Sequence, residues 1–84
     1  MNNTVLSVED MQKTVFSMKN QEYFTLGQVV NDVESHYPNK EIFIGAIHAY
    51  LLRLERFGMI EESRSESGLD KKYYWNNPFP EDKK

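Results

Sequence analysis

The stretch AIHAYLLRLERFGMIEE, residues 46–62, decides the fold. Ile47, Leu51, Leu54 and Phe57 recur every three or four residues, the period at which an α-helix returns to one face. The recurrence stops at Gly58, the residue type that most easily takes the left-handed turn closing a helix. Met59 to Arg64 then reads as a strand. Toward the N-terminus, Phe43 and Ile44 extend the apolar side and Asn39 is a capping type, so the spacing predicts a helix over 40–57. Toward the C-terminus, Ser65 to Asp70 is rich in turn formers and is expected to be mobile. Tyr73-Tyr74-Trp75 within 71–76 favours a strand. Strands over 59–64 and 71–76 around a polar loop form a hairpin.

Two more helices precede these elements. Ser7 with Asp10 approximates a capping box, and Leu6 with Met11 has the spacing of a hydrophobic staple. Val8, Met11, Val15 and Met18 then mark one face, predicting a helix over 8–19 that ends at Lys19-Asn20. Thr25 with Gln28 repeats the capping box, and Phe24 with Val29 repeats the staple. Leu26, Val29, Val30, Val33 and Tyr37 form the next stripe, over 26–37, stopped by Pro38. Tyr23-Phe24 is a candidate for a very short strand, and residues 1–5 for a frayed start. Residues 6–76 therefore read as one α+β domain, three helices and a C-terminal β-hairpin, with 77–84 as a flexible tail.

Composition narrows the function. Eighty-four residues hold one domain, and so short a chain buries only about 60% of its unfolded surface. Five Phe, five Tyr and one Trp enlarge that modest core. The chain has no cysteine, which excludes thiolate metal sites and Cys nucleophiles and suits a reducing cytoplasm. No apolar run approaches the roughly 20 residues of a membrane span, and the N-terminus lacks a signal-peptide pattern. A cytoplasmic location is expected. The net charge of −3 sits wholly in residues 1–39, where Lys13 and Lys19 face Glu9, Asp10, Glu22, Asp32 and Glu34. Residues 40–75 are neutral, with Lys40, Arg53, Arg56, Arg64, Lys71 and Lys72 balanced by six acids. His36 and His48 have no carboxylate at ligand spacing, so no zinc site is expected. Nor is there a GxSxG, a phosphate-binding glycine loop or a nucleophile–base pair. The chain is not expected to be an enzyme or to need a small-molecule cofactor.

The order helix, helix, helix, glycine, hairpin is that of winged helix-turn-helix domains. Residues 46–75 resemble the last helix and wing of bacterial transcriptional regulators of the PadR and MarR kinds. The run Leu51, Leu54, Glu55, Gly58, Met59, Ile60 is similar to the one that turns their helix into the first wing strand, and Tyr73, Tyr74 and Trp75 match an aromatic return strand. Weaker similarity reaches back to about Val8. The resemblance implies a winged-helix fold and a regulator of transcription that binds duplex DNA, the third helix in the major groove and the wing on the backbone. The chain ends soon after the wing, without the further helix through which such proteins dimerise; a homodimer on a two-fold site, or a protein partner, is expected to enlarge the footprint.

At 100° per residue, the third helix turns Ile42, Gly45, Ala46, Ala49, Arg53 and Arg56 away from its apolar side, with His48 and Leu52 at the flank. Arginine grips phosphate or forks onto guanine, and His48 can donate a hydrogen bond. Gly45, Ala46 and Ala49 permit close approach and contact with thymine methyls. The duplex-binding set is therefore Ala46, His48, Ala49, Arg53 and Arg56, joined by Arg64, Lys71 and Lys72 of the hairpin. The alternatives are plain. The arginines are equally surface cations, the hairpin a mixed-charge surface with Glu61, Glu62, Glu66 and Asp70, and the small-residue face a seat for another protein. At least two of Tyr73, Tyr74 and Trp75 are expected in the core rather than stacking on bases. A winged-helix adaptor that binds protein and no DNA is the rival reading. The two differ in whether Arg53, Arg56, Arg64, Lys71 and Lys72 form one positive face.

Overall fold

Ser7 sets the first helix in register. In the computed structural model, which describes residues 4–76, the Asp10 amide donates to Ser7 Oγ at 3.1 Å and the Ser7 amide donates to Asp10 Oδ2 at 3.2 Å. The capping box is thus complete, and helix α1 runs Val8–Phe16. It stops short of the expected residue 19. Met18 and Lys19 donate to carbonyls three residues back, at Val15 and Phe16, and the Ser17 hydroxyl takes Thr14 O. The last turns tighten and the chain leaves the helix.

Strand β2, Tyr23–Thr25, leads into α2, Leu26–His36. The Gln28 amide donates to Thr25 Oγ1 at 3.0 Å, one half of the predicted capping box. The other half is absent because the Gln28 side chain bonds Gln21 instead. Leu26, Val29 and Val33 are buried, while Val30 and Tyr37 pack on the core edge.

The largest departure lies before α3, which spans Ile44–Arg56 rather than starting at residue 40. Lys40–Glu41 form a strand, β3, parallel to Thr4–Val5, which is β1, and the Leu6 amide extends the pairing to Glu41 O. The expected frayed start is therefore paired as far back as Thr4, and Asn39 caps nothing. The Lys40 amide donates to Tyr37 O, and the Lys40 ammonium joins the Asp10 carboxylate, drawing 40–41 out of helical geometry. The later start shifts which side chains face inward. Ile47, Leu51 and Leu54 are buried as predicted, and Tyr50 joins them. Phe43 and Ile44, assigned to the core by the spacing, are 53% and 47% exposed. Phe57 stands beyond the last helical turn, 66% exposed, and Ile42 instead packs against the core. Val8, placed on the apolar face of α1, is 48% exposed because it occupies the first helical position, at the rim.

Gly58 takes a φ of 82°, closing α3. Strand β4, Ile60–Glu62, and strand β5, Lys72–Trp75, are shorter than the predicted 59–64 and 71–76. With β2 they form an antiparallel sheet in the order β2-β5-β4. Along β5, Tyr73 and Trp75 turn inward while Tyr74 turns out, the alternation a strand imposes. Phe24 stacks on Tyr73, Phe16 meets Trp75 edge-on, and the indole N–H donates to Met18 O at 3.1 Å. The Tyr73 hydroxyl is buried without a hydrogen-bond partner among the described residues.

The hairpin loop carries a short turn of its own. Gly68–Asp70 form a 3-10 turn laid against the start of α2, and the Leu26 amide donates to Lys71 O. A Cβ on Gly27 would come within 3.0 Å of Leu69 O, so a glycine there permits the approach. One cluster of buried side chains runs from Leu6 to Trp75. The chain is α+β, three helices and a small three-stranded antiparallel sheet, an arrangement compatible with a winged helix. The tail expected over 77–84 lies outside the described residues.

Candidate nucleic-acid interface

The inward side of α3 is locked by Ile47, Tyr50, Leu51 and Leu54, and this fixes the direction of its outer side. Ala46, Ala49, Arg53 and Arg56 are exposed there, and His48 is half-buried at the flank. A Cβ built on Gly45 meets nothing within 4 Å, so the N-terminal end of this face is open. Arg53 and Arg56 form no ion pair with any described residue.

The two arginines differ in direction. Arg53 lies on the wall of a groove between α1 and α3, with Val8, Gln12, Phe16, Tyr50 and Phe57. It also borders the adjoining depression, where Val8 and Met11 face Ala46 and Ala49. Arg56 lines neither. Burial raises the Tyr50 phenol above its ordinary pKa, opposed by the nearby Arg53 cation. Proximity to α1 was not visible in a helical projection of residues 40–57, because it depends on where α1 crosses.

The hairpin cations are placed differently. The Lys71 ammonium donates to Glu62 Oε2 at 2.8 Å. Lys72 stands 3.9 Å from Glu66 Oε2 and 4.9 Å from the centre of the Tyr23 ring. Arg64 is exposed and forms no ion pair with a described residue. Acids thus hold Lys71 and Lys72, and the five cations named from the sequence do not form one uninterrupted positive face. Burial, with the Glu62 and Glu55 charges adding to it, pushes the Tyr73 phenol up to about 12.

Several surface features escaped the sequence reading. Phe43 and Ile44 are exposed at the start of α3, so that end of the helix is more apolar at the surface than expected. Tyr23 and Tyr74 pair on the outer face of the sheet, with ring centres 5.3 Å apart. Strand alternation was enough to turn Tyr74 outward, but its partner required the β2–β5 register. No group of three or more His, Asp or Glu side chains gathers for a metal among the described residues. No described helix is long and apolar enough to cross a membrane. Comparisons with protein-family models, with curated proteins and with solved structures find no match.

Proposed function

We propose that this chain is a winged-helix regulator of transcription that binds duplex DNA through the outer face of α3. The observation that carries the reading is Arg56, exposed and without an ion pair to any described residue, on the same side as the exposed Gly45–Ala49 surface of a helix whose other side is fixed in the core. A fixed helix can enter a major groove with its small residues close to base edges while an arginine engages phosphate or guanine. Arg64 supplies a second contact from the hairpin loop, to the flanking backbone. Lys71 and Lys72 contribute less, since each would first have to leave a carboxylate. Arg53 stands at the boundary between this face and the groove toward α1. The reading assigns the chain no catalytic step and no cofactor.

Fluorescence anisotropy with mixed-sequence duplexes tests it at ~50 mM salt, where phosphate contacts are strong. Wild type is expected to bind, and Arg56→Ala and Arg64→Ala to bind more weakly with unchanged circular dichroism. A protein-binding adaptor is the second reading, favoured by the acid-held lysines and by the apolar groove beside Arg53. Wild type without any affinity for duplex would transfer the function to that reading.

A further inference from the structure

We propose that the groove between α1 and α3 is the seat of this chain's own segment 78–82, with Phe79 as its anchor. The groove is apolar where water reaches it: Val8 is 48% and Phe57 66% exposed, and Phe16 and Tyr50 lie between them. Large apolar side chains grouped in one groove mark a surface that gains from being covered.

The path of the chain supplies the occupant. The Asn76 amide donates to Met59 O at 3.0 Å, and the Asn76 side chain donates to Gly58 O at 2.8 Å. Met59 and Phe57 line the groove, so β5 delivers the chain to one end of it. The residues that follow read Asn77-Pro78-Phe79-Pro80-Glu81-Asp82-Lys83-Lys84. At about 3.5 Å per residue, the step from Asn76 to Phe79 spans up to about 10 Å, the scale of the groove mouth formed by Met59, Phe57 and Phe16. Phe79 is the one large apolar side chain of this segment, set between two prolines. Proline limits its own φ and the freedom of the residue before it, so less entropy is lost when such a segment docks. A tethered segment also meets its groove at an effective concentration on the order of millimolar. A contact too weak to hold a separate partner is then sufficient.

The charges agree with this occupant. On the α1 side, Glu9 and Lys13 border the same depression, four residues apart in the order that favours an acid with a base, and offset each other. Arg53 on the α3 wall forms no ion pair with a described residue and gives the groove its positive charge. Glu81 and Asp82 follow Phe79 by two and three residues. With Phe79 at the Phe57 end, these acids fall opposite Arg53, and Lys83 and Lys84 lie beyond them.

This inference goes beyond duplex binding and stands without it; it draws on Arg53, whereas the DNA reading rests on Arg56. Nuclear Overhauser spectra of the whole labelled chain, with no DNA present, test it. The Phe79 ring protons are expected to show contacts with the rings of Phe57 and Phe16, and a mixture of labelled and unlabelled chains should show none between molecules. Urea unfolding supplies an independent reading. Phe79→Ser and Phe57→Ser should each lower the folding equilibrium constant about threefold or more, and together by little more than the larger single effect, because both delete one contact. Arg53→Glu should weaken the contact, and Glu81→Arg with Asp82→Arg in that background should restore it. Absence of contacts from Phe79 to the groove overturns the inference. So do additive effects of Phe79→Ser and Phe57→Ser, or contacts found only between molecules, which would make the occupant a second copy's segment. A seated segment in a protein without duplex affinity would remove the DNA reading alone.

Discussion

The outer face of α3 and the hairpin carry similar numbers of cations, yet they differ in what those cations can do. Arg56 projects from a helix whose exposed neighbours are Ala49, Leu52 and Arg53, with no ion pair to a described residue. Lys71 lies across the hairpin from Glu62 and is held at 2.8 Å, and Lys72 lies between Glu66 and the Tyr23 ring. On a helix, the neighbours of a charge are three and four residues away. On a hairpin they come from the opposite strand and the loop. Cations that look alike in the sequence are therefore available at Arg53, Arg56 and Arg64 and committed to carboxylates at Lys71 and Lys72.

The most severe way to break this contrast is to release α3 from the core. Leu51 is fully buried, and Leu51→Ala should cost about 2–5 kcal/mol in urea unfolding. That is a large share of the stability of so small a domain. A cost below about 0.5 kcal/mol would put this side of α3 at the surface and remove the reason for its outer face pointing outward. A change of opposite sign is expected beneath the hairpin. Tyr73→Phe deletes a buried hydroxyl with no partner among the described residues. Because an unsatisfied buried polar group costs about 1–3 kcal/mol, the variant should be as stable as wild type or more so. A clear loss of stability would mean the hydroxyl has a bonded partner.

Smaller effects sharpen the comparison. Lys71→Ala removes a partly exposed ion pair and should change stability by no more than about 1 kcal/mol. Its effect on duplex affinity should be smaller than that of Arg64→Ala, measured side by side; the reverse order would mean that Lys71 leaves Glu62 to meet DNA. Far from both regions, the bond from Lys40, opposed by burial and aided by the Ser7 bonds, holds the Asp10 carboxyl below its usual 3.8. A depressed carboxyl stabilises the fold fully above the unfolded-state value and loses that contribution as pH falls below it. Wild type should therefore lose more stability than Lys40→Met as the medium is acidified from pH 5 through this range, and parallel thermal melts would show otherwise if the pair contributes nothing.

What could be read from the sequence follows from how local each signal is. Gly58 announced the end of α3 and the turn into β4 because a left-handed residue leaves its mark at one position. Ser7 and Thr25 announced two helix starts because capping spans three residues. The start of α3 was misplaced because its cause is remote: Thr4 and Val5 pair with Lys40 and Glu41, and a two-residue parallel pairing has no periodicity to detect. The error carried into the candidate site by moving Phe43 and Ile44 outward. Arg53 and Arg56 were found as a pair, but their separation depends on α1 crossing beside Arg53. The neutralisation of Lys71 required the closed hairpin that brings it to Glu62, nine residues earlier in the chain.

The central claim, that available charge on α3 rather than total charge governs binding, is tested most directly by the salt dependence of duplex affinity. Observed binding should fall linearly in log–log form between about 50 and 200 mM salt. If Arg56 contacts phosphate, Arg56→Ala should lower affinity for all sequences alike and reduce the slope by about one unit. If it reads guanine, the loss should be about 1–3 kcal/mol at one base position. Lys71→Ala should leave the wild-type slope in place. A wild-type protein with no affinity at the lowest salt, or an Arg56→Ala line that overlays wild type while Lys71→Ala departs from it, would contradict the account.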